Sequence, residues 1–132
     1  MTEGNGTLAI AGEEQLARFI LYSKWIRSSN QTARPEAFIP HPYPDLSVTR
    51  HLNLSEEALW KTGQNVADAR PATLYGRADI YASSAKRQSL KIAPNPVPNN
   101  PNHANIVGWP ADKPAQKIIA LELAANSDYW PK

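Results

Sequence analysis

The chain contains no cysteine, so no disulfide framework can hold it together and no thiolate metal site can be built. That absence suits a reducing compartment. Glycine is scarce at six residues, which leaves little backbone for phosphate-cradling loops, and neither a Gly-x-Gly-x-x-Gly nor a Walker sequence occurs. No apolar run reaches the roughly 18 residues of a membrane span. The opening Met-Thr-Glu-Gly-Asn-Gly has neither the basic start nor the apolar stretch of a secretory signal. A cytoplasmic location without a membrane partner is therefore expected. Nucleophile chemistry finds no Gly-x-Ser-x-Gly elbow. The histidines, His41, His51 and His103, lack the local spacing of a zinc site. No metal and no cofactor is expected.

What the chain has in excess is proline, with twelve in 132 residues. Pro35, Pro40, Pro42 and Pro44 form one cluster, and Pro94, Pro96, Pro98 and Pro101 another. Proline fixes its own φ and pushes the preceding residue out of the helical region, so both clusters read as extended connectors. The net charge of +2 is too mild to imply nucleic acid by itself. Its distribution is uneven: Arg18, Lys24, Arg27 and Arg34 fall in an acid-free window between Glu14 and Glu36. Lys86, Arg87 and Lys91 fall in a second, between Asp79 and Asp112. If the windows meet they make a basic face; if not, they are solvated charges on separate surfaces.

The length is that of one domain. Residues 1–15 read as a flexible N-terminal tail and 16–132 as a single α+β domain. Glu13 to Arg27 fits a short helical lead into a strand. Ser28 to Asp45 reads as loop and Leu46 to Arg50 as a short strand. Ser55 is a good N-cap for a helix reaching about Ala69, with Glu56 and Glu57 complementing its dipole and Leu59, Trp60, Val66 and Ala67 on its apolar side. The clearest strand is Thr73 to Ala82, with Leu74, Gly76, Ala78, Ile80 and Ala82 on one face and Tyr75, Arg77, Asp79 and Tyr81 on the other. Ser89–Ala93 and Asn105–Gly108 read as further strands. The final helix reaches about Ala125 with Ile118, Leu121 and Ala125 in register. The expected class is α+β: a small mixed or antiparallel sheet of about four strands packed by two to three helices.

The candidate functional groups are the polar face of the long strand (Tyr75, Arg77, Asp79 and Tyr81) together with Arg50, His51, His103 and Asn105. Arginine offers a planar fork for phosphate or carboxylate, histidine exchanges a proton near neutral pH, and tyrosine adds a flat surface with a hydroxyl. The same types are enriched at protein interfaces, and an ordinary half-exposed sheet face has them too. Arg77 and Asp79 pair most simply with each other. Trp60 is expected in the core and Trp109 at a strand-to-helix turn. Trp25 and Trp130 are candidate anchors for a partner, and the aromatic C-terminal stretch either packs back on the domain or docks on another chain.

Thr73-Leu-Tyr-Gly-Arg-Ala-Asp79, Asn102-His-Ala-Asn-Ile-Val-Gly-Trp-Pro110 and the helix Gln116 to Ala125 resemble segments of a group of short bacterial proteins. With Ala37-Phe38 and Leu46-Ser-Val48 the resemblance spans Arg18 to Ala125. It implies a stand-alone bacterial domain and brings no activity, substrate or cofactor with it. From the residues, the first expectation is a binding protein for a protein partner or for a second copy of itself. The alternatives are an enzyme on phosphate-containing substrates, with Arg50 and Arg77 as clamp and His103 as acid or base, and a nucleic-acid-binding protein, which is less favoured.

Overall fold

Strand β1 (Gln15–Ile20) carries apolar groups on both faces, a composition that belongs in the middle of a covered sheet. In the computed structural model, which describes residues 9–41 and 44–132, β1 holds that place. A short hairpin follows it, β2 (Ile26–Arg27) and β3 (Thr32–Ala33), then a 3₁₀ turn over Pro35–Phe38 and β4 (Leu46–Arg50). Helix α1 (Glu56–Ala69), β5 (Gly76–Tyr81), α2 (Ala82–Arg87), β6 (Lys91–Pro94) and β7 (His103–Val107) come next, and α3 (Lys113–Ala125) and β8 (Asp128–Pro131) last. Six strands form one sheet in the order β6-β7-β4-β1-β5-β8, and every neighbouring pair is antiparallel.

The register explains the layers. On one face Leu16, Ile20, Leu46, Val48, Ala78, Ile80, Ala104 and Ile106 pack with Phe38 of the 3₁₀ turn, Ala82 and Ala85 of α2, and Ala120 and Leu123 of α3. On the other, Ala17 and Phe19 meet Leu59 and Ala67 of α1, with Leu21 and Leu74 beside them. Ser55 caps α1 as expected, its Oγ accepting from the N–H of Ala58 at 3.1 Å. Gly63 lets the helix approach closely: an added Cβ would lie 2.6 Å from Cε1 of Phe19.

Several expectations are corrected. The class is α+β with three helices, but the sheet has six strands where about four were expected. Residues 13–27 contain no helical lead: β1 begins at Gln15, and the 3₁₀ turn Ser23–Trp25 comes after the strand. The strand expected to run to Ala82 stops at Tyr81, and Ala82 starts α2. The final helix turns its face around. Gln116, Ala120, Leu123 and Ala124 are buried, whereas Ile118 and Leu121 are 66% and 52% exposed. The aromatic C-terminal stretch packs back as β8, pairing with β5 through Gly76↔Pro131 and Arg77↔Trp130.

The expected tail divides. Residues 1–8 lie outside the described residues, as do Pro42 and Tyr43 of the first proline cluster. Glu14 grips Arg50, and Gln15 opens β1. No helix among the described residues is long and apolar enough to cross a membrane.

Candidate functional site

Alternation along β5 puts Arg77 and Asp79 beneath α1, and both are buried, at 2% and 5% exposure. Nε of Arg77 donates to both oxygens of Asp79 at 3.1 Å, and its terminal nitrogens reach the two oxygens of Glu56, each at 3.0 Å. Burial opposes the charge on Arg77, but the hydrogen bonds to Glu56 and the Asp79 carboxylate outweigh it and hold the pKa above its usual value. The guanidinium lies 4.8 Å from the centre of the Trp60 ring and 5.7 Å from that of Trp130. Trp60 is half-buried, packed against the apolar cluster on this face as expected while its ring also covers the charged group. Nε2 of His51 stands 3.0 Å from Oδ1 of Asp79. Tyr75, Tyr81 and Trp130 remain 39%, 46% and 52% exposed around this network. Its charges satisfy one another, so it reads as a tie joining α1, β5 and β8.

The set Arg50, Arg77 and His103 does not converge. Register puts Arg50 opposite Leu16, on the sheet face away from Arg77. There it is fully buried and forks onto Glu14, with Nε to Oε2 at 2.6 Å and Nη2 to Oε1 at 2.8 Å. His103 lies in the row His103↔Thr49↔Ala17↔Asp79. Three strand spacings, roughly 14 Å, therefore separate the backbones of β7 and β5. Its Nδ1 turns further away, 2.8 Å from the carbonyl oxygen of Asn95. Asn105 stands two residues along β7 on the same face as His103. The pocket beside His103 has about 30 Å³, water-sized room.

A larger concavity lies elsewhere, near the end of the sheet where β1 finishes and β4 begins. It has a volume of about 540 Å³ and is lined by Arg18, Tyr22, Lys24, Trp25, Glu36, Ile39, His41, Arg70 and Lys113. Among the described lining residues, four permanent cations thus face one carboxylate. They come from β1, the turn after it, the C-cap of α1 and the first residue of α3, segments remote in sequence.

Arg18 is the unusual member. Its side chain is half-buried, with Nε bonded to the carbonyl of Ala37 at 2.7 Å and Nη1 to that of Ser47 at 3.0 Å. The guanidinium lies 5.1 Å from the centre of the Trp25 ring, whose edge meets Tyr22 at 4.8 Å between centroids. Among the described residues no carboxylate pairs with Arg18. Burial, and then repulsion from Arg70, push its pKa down to about 10, with Tyr22 acting the other way. Buried cations are ordinarily paired. Here Arg18 is held by neutral acceptors on one side and faces an open groove on the other, with the exposed Arg70 in the same lining.

Of the groups singled out from the sequence, the β5 network joins Arg77, Asp79, His51 and Trp130, while Tyr75 and Tyr81 stand exposed at the two ends of the strand. Trp25 belongs to the groove instead. Sequence reasoning missed Arg70, Lys113 and His41 as companions of Trp25. The one available signal was the acid-free window containing Arg18 and Lys24. Among the described residues no cluster of three or more His, Asp or Glu side chains could hold a metal ion. No protein-family model, no curated protein and no solved structure matches this chain.

Proposed function

We propose that the protein acts by binding, and that the groove beside Arg18 receives an anionic small molecule. The observation that carries this reading is the lining of the groove: Arg18, Lys24, Arg70 and Lys113 border a space of about 540 Å³, and among the described residues no acid pairs with Arg18. An anion in the groove would meet positive charge with charge-assisted hydrogen-bond donors around it. The volume is that of a small-molecule site. Lys24 and Lys113 add positive charge.

The catalytic reading loses its support, because its arginines are committed to Glu14 and to Glu56 with Asp79, on opposite faces of the sheet. The test is isothermal titration of the protein with inorganic phosphate, pyrophosphate and a tricarboxylate at low ionic strength. At least one should bind, and Arg18→Met and Arg70→Met should each weaken it tenfold or more. Binding that is indifferent to both substitutions would remove the groove from consideration.

A further inference from the structure

We infer that the ligand of this groove is a phosphate ester of a flat ring system carrying N–H or hydroxyl donors, a nucleotide-like molecule, and not a polyanion. The inference rests on the groove being an anion site and says what else the anion must carry. Three features of the lining select the class.

The first is aromatic surface. Tyr22 is 49% exposed and lines the groove with Trp25 and Ile39. The Lys24 ammonium lies 5.9 Å from the centroid of the Tyr22 ring, on a flexible stem. An anion without an apolar part leaves this wall wet. A planar ring laid against it gains stacking, which contributes a factor of about five to a hundred per base at comparable sites.

The second is the single carboxylate. Glu36 is exposed and lies in a wall otherwise lined by Arg18, Lys24, Arg70 and Lys113. It repels any run of phosphates passing along the groove. To a ligand with an amino or hydroxyl group it offers a charged acceptor, the kind of polar contact that fixes orientation.

The third is the charge balance. Four cations against one carboxylate leave +3 with His41 neutral. One phosphate dianion or a diphosphate nearly matches that charge, whereas a nucleic-acid strand requires a continuing basic track. The remaining residues of the basic windows are not part of its lining: Arg27 lines a separate concavity, Lys86 is tied to the carbonyl of Ile10 at 2.9 Å, Arg34 lies outside the lining, and so do Arg87 on α2 and Lys91 on β6.

The experiment compares four probes on the full chain by titration calorimetry: inorganic phosphate, ribose 5-phosphate, adenosine 5′-monophosphate and a single-stranded oligonucleotide. The nucleoside monophosphate should bind about tenfold or more tightly than ribose 5-phosphate. Tyr22→Ala, a change at a half-exposed side chain, should bring the ratio of nucleotide to ribose 5-phosphate affinity close to one, whereas Tyr22→Phe, which keeps the ring, should preserve it. Glu36→Gln should lower the preference for the nucleoside and improve binding of inorganic phosphate. Equal affinities for the nucleotide and the sugar phosphate, both sensitive to Arg18→Met, would overturn the inference and leave the anion site standing. If no probe binds in an Arg18-dependent way, the anion-site reading falls as well. Tighter binding of the oligonucleotide, with a steep loss of affinity in salt, would overturn the inference in favour of a polyanion.

Discussion

His51 and Arg77 divide one carboxylate between them: Oδ1 of Asp79 lies 3.0 Å from Nε2 of His51 and 3.1 Å from Nε of Arg77. Asp79 has only 4% of its side chain exposed, so the arrangement removes a negative charge from water and must supply its partners internally. Arg77→Met takes away the larger partner and leaves Asp79 to His51 alone. The expected cost is about 3–5 kcal/mol in folding free energy, measured by urea unfolding. Arg77→Lys keeps the charge but cannot fork toward Glu56 and Asp79 together, so it should fall between wild type and Arg77→Met.

Gly63 tests the closeness of α1 to the sheet. Alanine at an exposed helical site gains about 1 kcal/mol over glycine. Here the new Cβ would lie 2.6 and 2.8 Å from two ring carbons of Phe19, itself only 6% exposed, and 3.2 Å from Cδ2 of Leu74. Gly63→Ala should therefore destabilise the protein, by about 1–3 kcal/mol despite the better helix former. A neutral or higher melting temperature would mean that Phe19 has room to move.

The orientation of α3 makes a paired prediction. Ile118→Gln and Leu121→Gln change side chains that are 66% and 52% exposed and should shift stability by no more than about 0.5 kcal/mol. Leu123→Ala removes a fully buried side chain and should cost about 2–5 kcal/mol. Equilibrium denaturation of the three variants separates the two faces. A large loss at Ile118 together with a small one at Leu123 would reverse the assignment.

The pH dependence of anion binding follows from Arg18. Its pKa is pushed down to about 10 by burial and then by Arg70, and only the protonated guanidinium attracts an anion. Well below that value the charge is fully present. As the pH rises through it, the free protein loses the proton, and the Arg18 contribution to affinity declines by up to about tenfold per pH unit. Phosphate affinity measured from pH 8 to 10.5 should fall, and the fall should be shallower in Arg18→Met. Identical slopes in the two proteins would mean that Arg18 keeps its charge throughout.

Local signals made much of the fold legible. Ser55 with Glu56 and Glu57 marked the start of α1, and the alternation from Leu74 to Tyr81 separated the two faces of β5. Three other features depend on contacts between distant segments. The phase of α3 was misread because Ile118 and Leu121 outweigh Ala120 and Ala124 in hydrophobicity. The sheet and the 3₁₀ turn over Pro35–Phe38 nevertheless accept the small side chains, which allow closer packing. Strand β8 is four residues long and bounded by Pro131, too short for a periodic pattern to show. The Arg77–Asp79 pair was readable from spacing. The groove was not, since Arg18, Arg70 and Lys113 meet only through the tertiary fold.

The position of β1 between β4 and β5 bears on how the chain reaches its native state. Gln15 pairs with Tyr81 and Leu16 with Arg50, so the central strand finds both neighbours only across long intervening segments. Closing those loops costs chain entropy before any ladder forms to offset it. Hairpin β6–β7 and helix α1 can form locally, but neither gives β1 a neighbouring strand by itself. Folding should therefore be a late, concerted event with a high contact order, toward the roughly millisecond-to-second end of the range for small domains. Until that step, the apolar faces of Leu16, Phe19 and Ile20 stay open to solvent and to other chains.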